Sequence, residues 1–584
     1  MVKFFKSNLI YKIKLWCNLK FMKNIKNKFL FNAIFILVIF ILAIIVWYSP
    51  VLFKGYSTYS LNINVLLARN IHLIDLHSAE NNLNVILSTD LIQDNGVVSI
   101  RGNKLTPLLY SKVFDIFGLF ETNNLIFLSI FIYALTLIIF TVLILYLFDF
   151  KIALIFSLIY IFLPFNWHLP YGIGAYEFAL LFLSLFFFLF FYGIKNKYHY
   201  IYLPISGIFL ALACLSREVF LLIAPFLLLF LWFKKQKINI IFLFIPFIIV
   251  LAIFWLPNIS NNDYIKLFTS DLSNEAKSSD VDLYPDPYTY HFEQEIFLFD
   301  LQNKIDNNEI VLMKELDRIK ELKNAGVGEI SLFDRARIGL VISLRHIFRF
   351  VSLEDIGGPF IFFLIILGLY SLKQKNRYLY QFFVYWVFSA VFLMSFVVLA
   401  VRNHLMDFNW VIALLISLGI IFLVKLINNY LNFKKKKQVF LYIVFLSIII
   451  YHFILVDHIV WSRAYNNNSS LMVQAYSQEI KKLNIIDNNV IVVNLTVSDM
   501  YNLNYLTNKS VVIFKPETIK NLLKENKLDY AFEQFNVKYI LGYSDELSER
   551  IVEQTNIINI SSNSLKPISL EISRNKGWLM NLIK

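Results

Sequence analysis

The chain has 584 residues, 58% of them hydrophobic and 59 of them Phe, with a mean hydropathy of +0.61. Soluble domains keep apolar content near ~45–50% even with Gly counted, so these values exclude an ordinary soluble protein and point to a polytopic membrane protein. The net charge of +13 lies in short Lys/Arg clusters between apolar runs, the pattern of cytoplasmic loops facing anionic lipid, and this argues against nucleic-acid binding.

In chain order, residues 1–28 form a basic segment with Lys3, Lys6, Lys12, Lys14, Lys20, Lys23, Lys26 and Lys28, expected to be cytoplasmic. The run that follows, Phe29 to Tyr48, has no small-residue cleavage site and reads as an uncleaved first span. Cys17 lies in the basic segment and Cys214 in an apolar run, so no intramolecular disulfide is expected between them. Apolar runs predict about eleven membrane helices, at 29–49, 124–148, 152–164, 175–193, 201–215, 219–233, 239–256, 356–372, 378–400, 408–427 and 438–456. Two of them, 152–164 and 201–215, are short for a full crossing; Pro164 and Pro204 mark bends or ends, and short spans of this kind can line a cavity.

With the N-terminus inside, the connections at 149–151, 195–200, 234–237, 373–377 and 432–437 fall in the cytoplasm, and four of these five are strongly basic. The outer side then receives 50–123, 164–174, Ser216 to Glu218, 257–355, Arg402 to Asp407 and the tail after Asp457. The long loop 257–355 contains a helical stretch whose Val311, Leu312, Leu316, Ile319 and Leu322 share a face. It ends in an interfacial amphipathic segment, 336–351, carrying Arg337, Arg345, His346 and Arg349. Those cations either meet a lipid phosphate or snorkel to the headgroups.

Beyond Asp457 the composition becomes that of a soluble domain. Strands at 489–495, 510–516 and 537–543, with a helix-like stretch at 518–535, predict a small α/β unit with a parallel sheet. The fold class is therefore a polytopic α-helical membrane domain at 29–456 followed by a small extracytoplasmic α/β domain at 457–584.

Polar groups beside a bilayer need a reason, which singles out the ionisable residues at the outer ends of spans. Glu177 begins the fourth span, Arg217 and Glu218 form the turn after the fifth, and Arg402, His404 and Asp407 separate the ninth from the tenth. Either they share an outward-facing cavity, with cations for a phosphate and acids for proton transfer or a divalent metal, or each caps its own helix. In the first outer loop, the run HLIDLHSAE, if helical, places His72 beside Asp75 and His77 beside Glu80. Such a cluster suits a divalent metal; a solvated amphipathic helix over Leu73, Ile74 and Leu76 explains the same spacing.

The long first outer loop, the segment RGNKLTPLLYSKVFDIFGLF, the passage PFNWHLPYGIGAYEFALLF, the turn LSREVF and the passage AVRNHLMDFNWVIALL together resemble the multispanning GT-C glycosyltransferases, which include protein mannosyltransferases and aminoarabinose transferases. The resemblance covers roughly residues 29–430. It implies transfer of a sugar from a polyprenyl-phosphate carrier to a glycan, lipid or protein acceptor at the outer membrane face. On that basis Arg217, Arg402, His404, Arg345 and Glu177 are candidates for holding phosphate and substrate, and Arg suits the fork geometry of phosphate. The sequence departs from the family pattern of an acid shortly after the first span and just before a Tyr, because Lys54, Gly55, Tyr56, Ser57 and Thr58 precede Tyr59. Asp75 and Glu80 are the candidate catalytic acids in its place, with Asp90 and Asp94 further along the loop. The alternatives are a non-catalytic GT-C-like protein that binds a lipid-linked glycan or a partner, and a flippase of such glycans.

Overall fold

The structure, a computed structural model, describes residues 28–54, 60–61, 63–73, 105–119, 122–174, 176–196, 198–217, 220–221, 223–259, 356–396, 408–431, 435–465, 469–482, 490–493, 497–507, 509–513, 537–555 and 558–560, with isolated positions between 519 and 532. Outside the described residues lie the basic N-terminal segment, the stretch with Asp75, His77, Glu80, Asp90 and Asp94, Glu218, most of the loop 257–355 with Arg345, and Arg402, His404 and Asp407.

Over the described residues, each of the eleven expected apolar runs falls on a helix. The first is α1 (Lys28–Lys54), followed by a two-residue strand β1 (Ser60–Leu61), helix α2 (Ile63–Leu73) and helix α3 (Leu105–Phe117). Next come α4 (Thr122–Leu147), α5 (Phe150–Phe162), α6 (Pro164–His168), a single 3-10 turn and strand β2 (Gly172–Ile173). The bundle continues with α7 (Glu177–Lys195), α8 (His199–Ser216), α9 (Ile223–Phe233) and α10 (Lys237–Ile259). It is completed by α11 (Pro359–Lys375), α12 (Arg377–Phe396), α13 (Asn409–Leu431) and α14 (Lys435–Tyr465). Among the described residues, seven helices are long and apolar enough to cross a membrane, namely α1, α4, α7, α8, α10, α13 and α14. In α1, Phe35, Ile39, Ala43 and Trp47 recur every fourth residue and are buried, whereas Leu30, Ile34, Leu37, Val38, Ile41 and Ile45 are exposed. An apolar face open on one side of a helix and packed on the other belongs to an integral membrane protein.

Helix α8 corrects one expectation. It runs for 18 residues with Pro204 inside it, because a proline in the second turn removes a single N–H bond and neighbouring contacts hold the helix. The other short span is short in fact. The 13 residues of α5 cover roughly 20 Å at about 1.5 Å per residue, against a hydrocarbon core of about 30 Å. The chain leaves the helix at Leu163, and Pro164 opens α6 at its first turn, where a missing N–H costs nothing. Asn166 in α6 donates to Tyr160 O at 2.8 Å and accepts from Asn409 Nδ2, at the start of α13, at 2.7 Å. The end of α5 and the start of α13 are thus tied together.

The centre is aromatic. Phe140 stacks on Trp410 at 5.0 Å, and Phe187, Phe382, Phe383 and Trp386 close around them, joining α4, α7, α12 and α13. Elsewhere the packing depends on glycine. A Cβ at Gly368 in α11 would strike the Leu415 carbonyl of α13, and one at Gly419 in α13 would strike the Leu364 carbonyl of α11. The two helices cross backbone to backbone at this reciprocal pair.

After α14 come α15 (Ser469–Lys482), β3 (Val490–Val493), α16 (Val497–Thr507), β4 (Ser510–Ile513), β5 (Val537–Leu541), α17 (Asp545–Gln554) and β6 (Ile558–Ile560). The four strands form one sheet in the order β4-β3-β5-β6, and every pair is parallel. The strand β6 has no counterpart among the strands expected from the sequence.

Candidate functional site

The candidate site is built where α1, α5 and α8 end and α7 begins, away from the Lys clusters. Its anchor is Glu177, the first residue of α7, whose surface is fully covered. One carboxylate oxygen accepts the Gly174 N–H at 2.5 Å and the Tyr110 hydroxyl, and the other accepts the Tyr176 N–H at 3.0 Å. An acid belongs here because unpaired N–H groups and the positive end of the helix dipole converge on it. Gly174 makes the fold-back feasible, with φ of +84° in the left-handed region that glycine adopts without strain. Burial first, then the Glu177 charge, holds the Tyr110 phenol well above its ordinary pKa, so it remains a neutral donor.

The loop fixed by Glu177 is tied on every side. Its strand β2 pairs in parallel with β1, Ser60 opposite Gly172 and Leu61 opposite Ile173. Asn64 Nδ2 in α2 donates to Gly174 O at 2.9 Å, and the Tyr171 hydroxyl donates to Trp47 O at 2.6 Å. The Trp47 indole in turn donates to Ile161 O, at the end of α5, at 2.9 Å. Through these bonds β1 and α2 are tied to the passage between the third and fourth apolar runs.

Arg217 sits against this unit at the C-terminus of α8. Its guanidinium lies 4.7 Å from the Tyr176 ring centroid, and Nη2 donates to the Tyr176 hydroxyl at 3.2 Å. Thr106 Oγ1 of α3 donates to Ser216 O at 3.2 Å, pinning the residue before it. The structure therefore joins two of the sequence candidates, Glu177 and Arg217, with Tyr176 as the link between them. It gives them different parts: Glu177 spends both carboxylate oxygens on protein donors, while Arg217 is half-buried at the end of its helix.

Two features escaped the sequence reading. Arg69, on helix α2, is only 2% exposed and binds Asn504 of α16 twice, through the backbone O at 2.9 Å and Oδ1 at 3.0 Å. Burial lowers its pKa to about 10, which still leaves it charged at neutral pH. The signal was a charged Arg following the apolar run Val65, Leu66, Leu67 and Ala68 in INVLLARNIHL. The second concerns His72. Helix α2 ends at Leu73, and the His72 Nδ1 pairs with Asp115 of α3 at 2.8 Å, an acid that Lys112 also holds at 2.8 Å. A partner of His72 is thus supplied by packing of α2 on α3, while Asp75 lies outside the described residues. Among the described residues no three His, Cys, Asp or Glu side chains gather as a metal would require.

No family model matches this sequence, and no curated protein does. Solved structures do match. The oligosaccharyltransferase of Archaeoglobus fulgidus, tethered with an acceptor peptide, aligns over 87% of this chain and 68% of its own at 14% identity, with a TM-score of 0.50. The same enzyme, named AglB, in complex with an inhibitory peptide and a dolichol-phosphate, aligns over 87% and 69%, again at 14% identity and a TM-score of 0.50. ArnT of Cupriavidus metallidurans in the apo state aligns over 91% and 90% at 10% identity, but its TM-score of 0.47 is too low to carry weight.

Proposed function

We propose that this protein, which has the GT-C fold, transfers a sugar from a polyprenyl-phosphate carrier to a glycan, lipid or protein acceptor at the outer face of the membrane. The observation that carries the reading is the placement of Arg217, a cation braced by Tyr176 at the distal end of the bundle. The aligned AglB structure contains a dolichol-phosphate, and a guanidinium at a helix end offers the charge and the paired N–H groups that a lipid phosphate needs.

The chemistry is a single displacement with inversion. The acceptor oxygen forms a bond to the anomeric carbon as the bond from that carbon to the phosphate oxygen breaks. The electron pair leaves with the phosphate, whose growing charge Arg217 neutralises, joined by Arg402 and Arg345. The acceptor proton goes to a carboxylate, for which Asp75 and Glu80 are our candidates, with His404 assigned to substrate contact. One A. fulgidus structure holds zinc and sulfate; Asp75 and Glu80, the residues here that would hold a divalent metal, lie outside the described residues.

The test is turnover. Protein purified into lipid nanodiscs and offered a panel of polyprenyl-phosphate sugars together with glycan, lipid and peptide acceptors should release polyprenyl phosphate, with loss of at least tenfold in Arg217→Ala and in one of Asp75→Ala or Glu80→Ala. Neither turnover nor carrier binding across the panel would overturn the proposal. A second reading, a carrier-binding protein without transferase activity, draws on Glu177: the acid beside Tyr176 and Arg217 is fully committed to structure, and no acid precedes Tyr59. Carrier binding with no transfer is its signature.

A further inference from the structure

We infer that the C-terminal α/β unit sets the position of Arg217 through a buried clamp between Arg69 and Asn504, an inference that rests on the phosphate-binding role proposed for Arg217. Arg69 and Asn504 are positioning residues in this account, since both act through other groups.

The clamp itself is specific. Asn504 is fully buried on α16, and it presents two acceptors to one guanidinium while its own Nδ2 donates to Lys509 O at 2.7 Å, ahead of β4. The Tyr505 ring lies 5.9 Å from the same guanidinium. A buried cation with one acceptor pair removed is strongly destabilised, so this contact is held shut by the cost of opening it.

From Arg69 the connection runs to Arg217 through neighbouring hydrogen bonds and one short helix. Asn64 and Arg69 are both on α2, separated by little more than one turn. Asn64 binds Gly174 O, Gly174 N–H binds Glu177, Glu177 binds Tyr176 N–H, and the Tyr176 hydroxyl accepts Arg217. Val65, Leu66 and Ala68, between the two polar residues, are completely buried, so α2 moves as a packed body and not as a hinge. Freeing Asn504 therefore frees the α2 end of the chain of bonds, and the 172–177 loop relaxes with it. This is a physical connection, and coupling along it has to be measured.

The experiment compares hydrogen exchange and carrier binding in full-length protein in nanodiscs for wild type, Arg69→Lys, Arg69→Met, Asn504→Asp and Asn504→Ala. The expected result is exchange at least tenfold faster in 172–177 and at Arg217 for Asn504→Ala and Arg69→Met, with α11 and α13 unchanged. The conservative Asn504→Asp and Arg69→Lys, which keep the charged or acceptor group, should recover most of the protection. Polyprenyl-phosphate affinity should fall about tenfold with kcat for bound carrier little altered, and the loss should vanish in an Arg217→Ala background. If Asn504→Ala unfolds the chain, seen as faster exchange in α11 and α13, the two conservative variants decide the matter by their graded effect on 172–177 alone. Unaltered exchange at 172–177 in all folded variants overturns the inference. Faster exchange there in a protein whose wild type binds no carrier supports the clamp and overturns the proposed function instead.

Discussion

At the scale of single residues, the site rests on a buried acid that serves structure and a cation that it indirectly steadies. Glu177→Ala leaves the Gly174 and Tyr176 N–H groups and the Tyr110 hydroxyl without their acceptor, and each orphaned buried donor costs about 1–3 kcal/mol. Thermal unfolding in detergent should show a loss of several kcal/mol by that reckoning, whereas Tyr110→Phe removes only one partner and should cost about 1 kcal/mol. Asp115 gives a pH test. Its hydrogen bonds to His72 and then Lys112 hold its carboxyl below the ordinary value of 3.8, so its stabilising effect is present above that value and is lost as the pH falls through the lower folded one. A difference in melting temperature between wild type and Asp115→Asn should therefore persist at neutral pH and close on acidification below about pH 4. Glu177 and Arg217 were legible from sequence because ionisable groups at span ends stand out against apolar runs. Tyr110, Asn64, Arg69 and Asn504 were not, because their partners lie tens to hundreds of positions away and only the folded chain joins them.

At the scale of elements, hydrophobic length marked the helices well, since a span must bury its backbone within itself. What it missed was how they end and how they touch. The two-residue strands β1 and β2 carry no periodicity that sequence can reveal, and α8 looked broken at a proline its neighbours accommodate. Glycine positions carry the closest contacts. Gly368→Ala and Gly419→Ala each drive a methyl group into a facing carbonyl at the α11–α13 crossing, and overpacking of this kind costs about 1–3 kcal/mol. Because both relieve the strain by parting the same two helices, the double variant should cost less than the sum of the singles. Gly207→Ala, which meets the Leu243 carbonyl at the separate crossing of α8 and α10, should add to either one in full. Thermal unfolding of the three single and three double variants measures both relations.

At the scale of the whole molecule, the polytopic helical domain and the parallel C-terminal sheet were both readable from patterning, while the docking of the C-terminal unit onto α2 was not, since it joins an Arg and an Asn 435 positions apart. The functional reading depends on which side of the membrane this docked unit faces. Helix α14 settles how to ask. Its 31 residues extend roughly 46 Å at about 1.5 Å per residue, more than a hydrocarbon core of about 30 Å, so its two ends open on opposite sides. Lys435, Lys436 and Lys437 lie at the first end, for which the positive-inside rule predicts the cytoplasm. On that expectation the unit that follows Tyr465, and with it α2 and Arg217, would lie outside. In a chain carrying Cys17→Ser and Cys214→Ser, Lys481→Cys should react with a membrane-impermeant maleimide on intact cells, and Lys436→Cys only after the cells are opened; both lysines are exposed. The reverse pattern would place Arg217 on the cytoplasmic face, where a carrier whose sugar has been moved to the outer leaflet cannot reach it, and the proposed transfer would fail on topology alone.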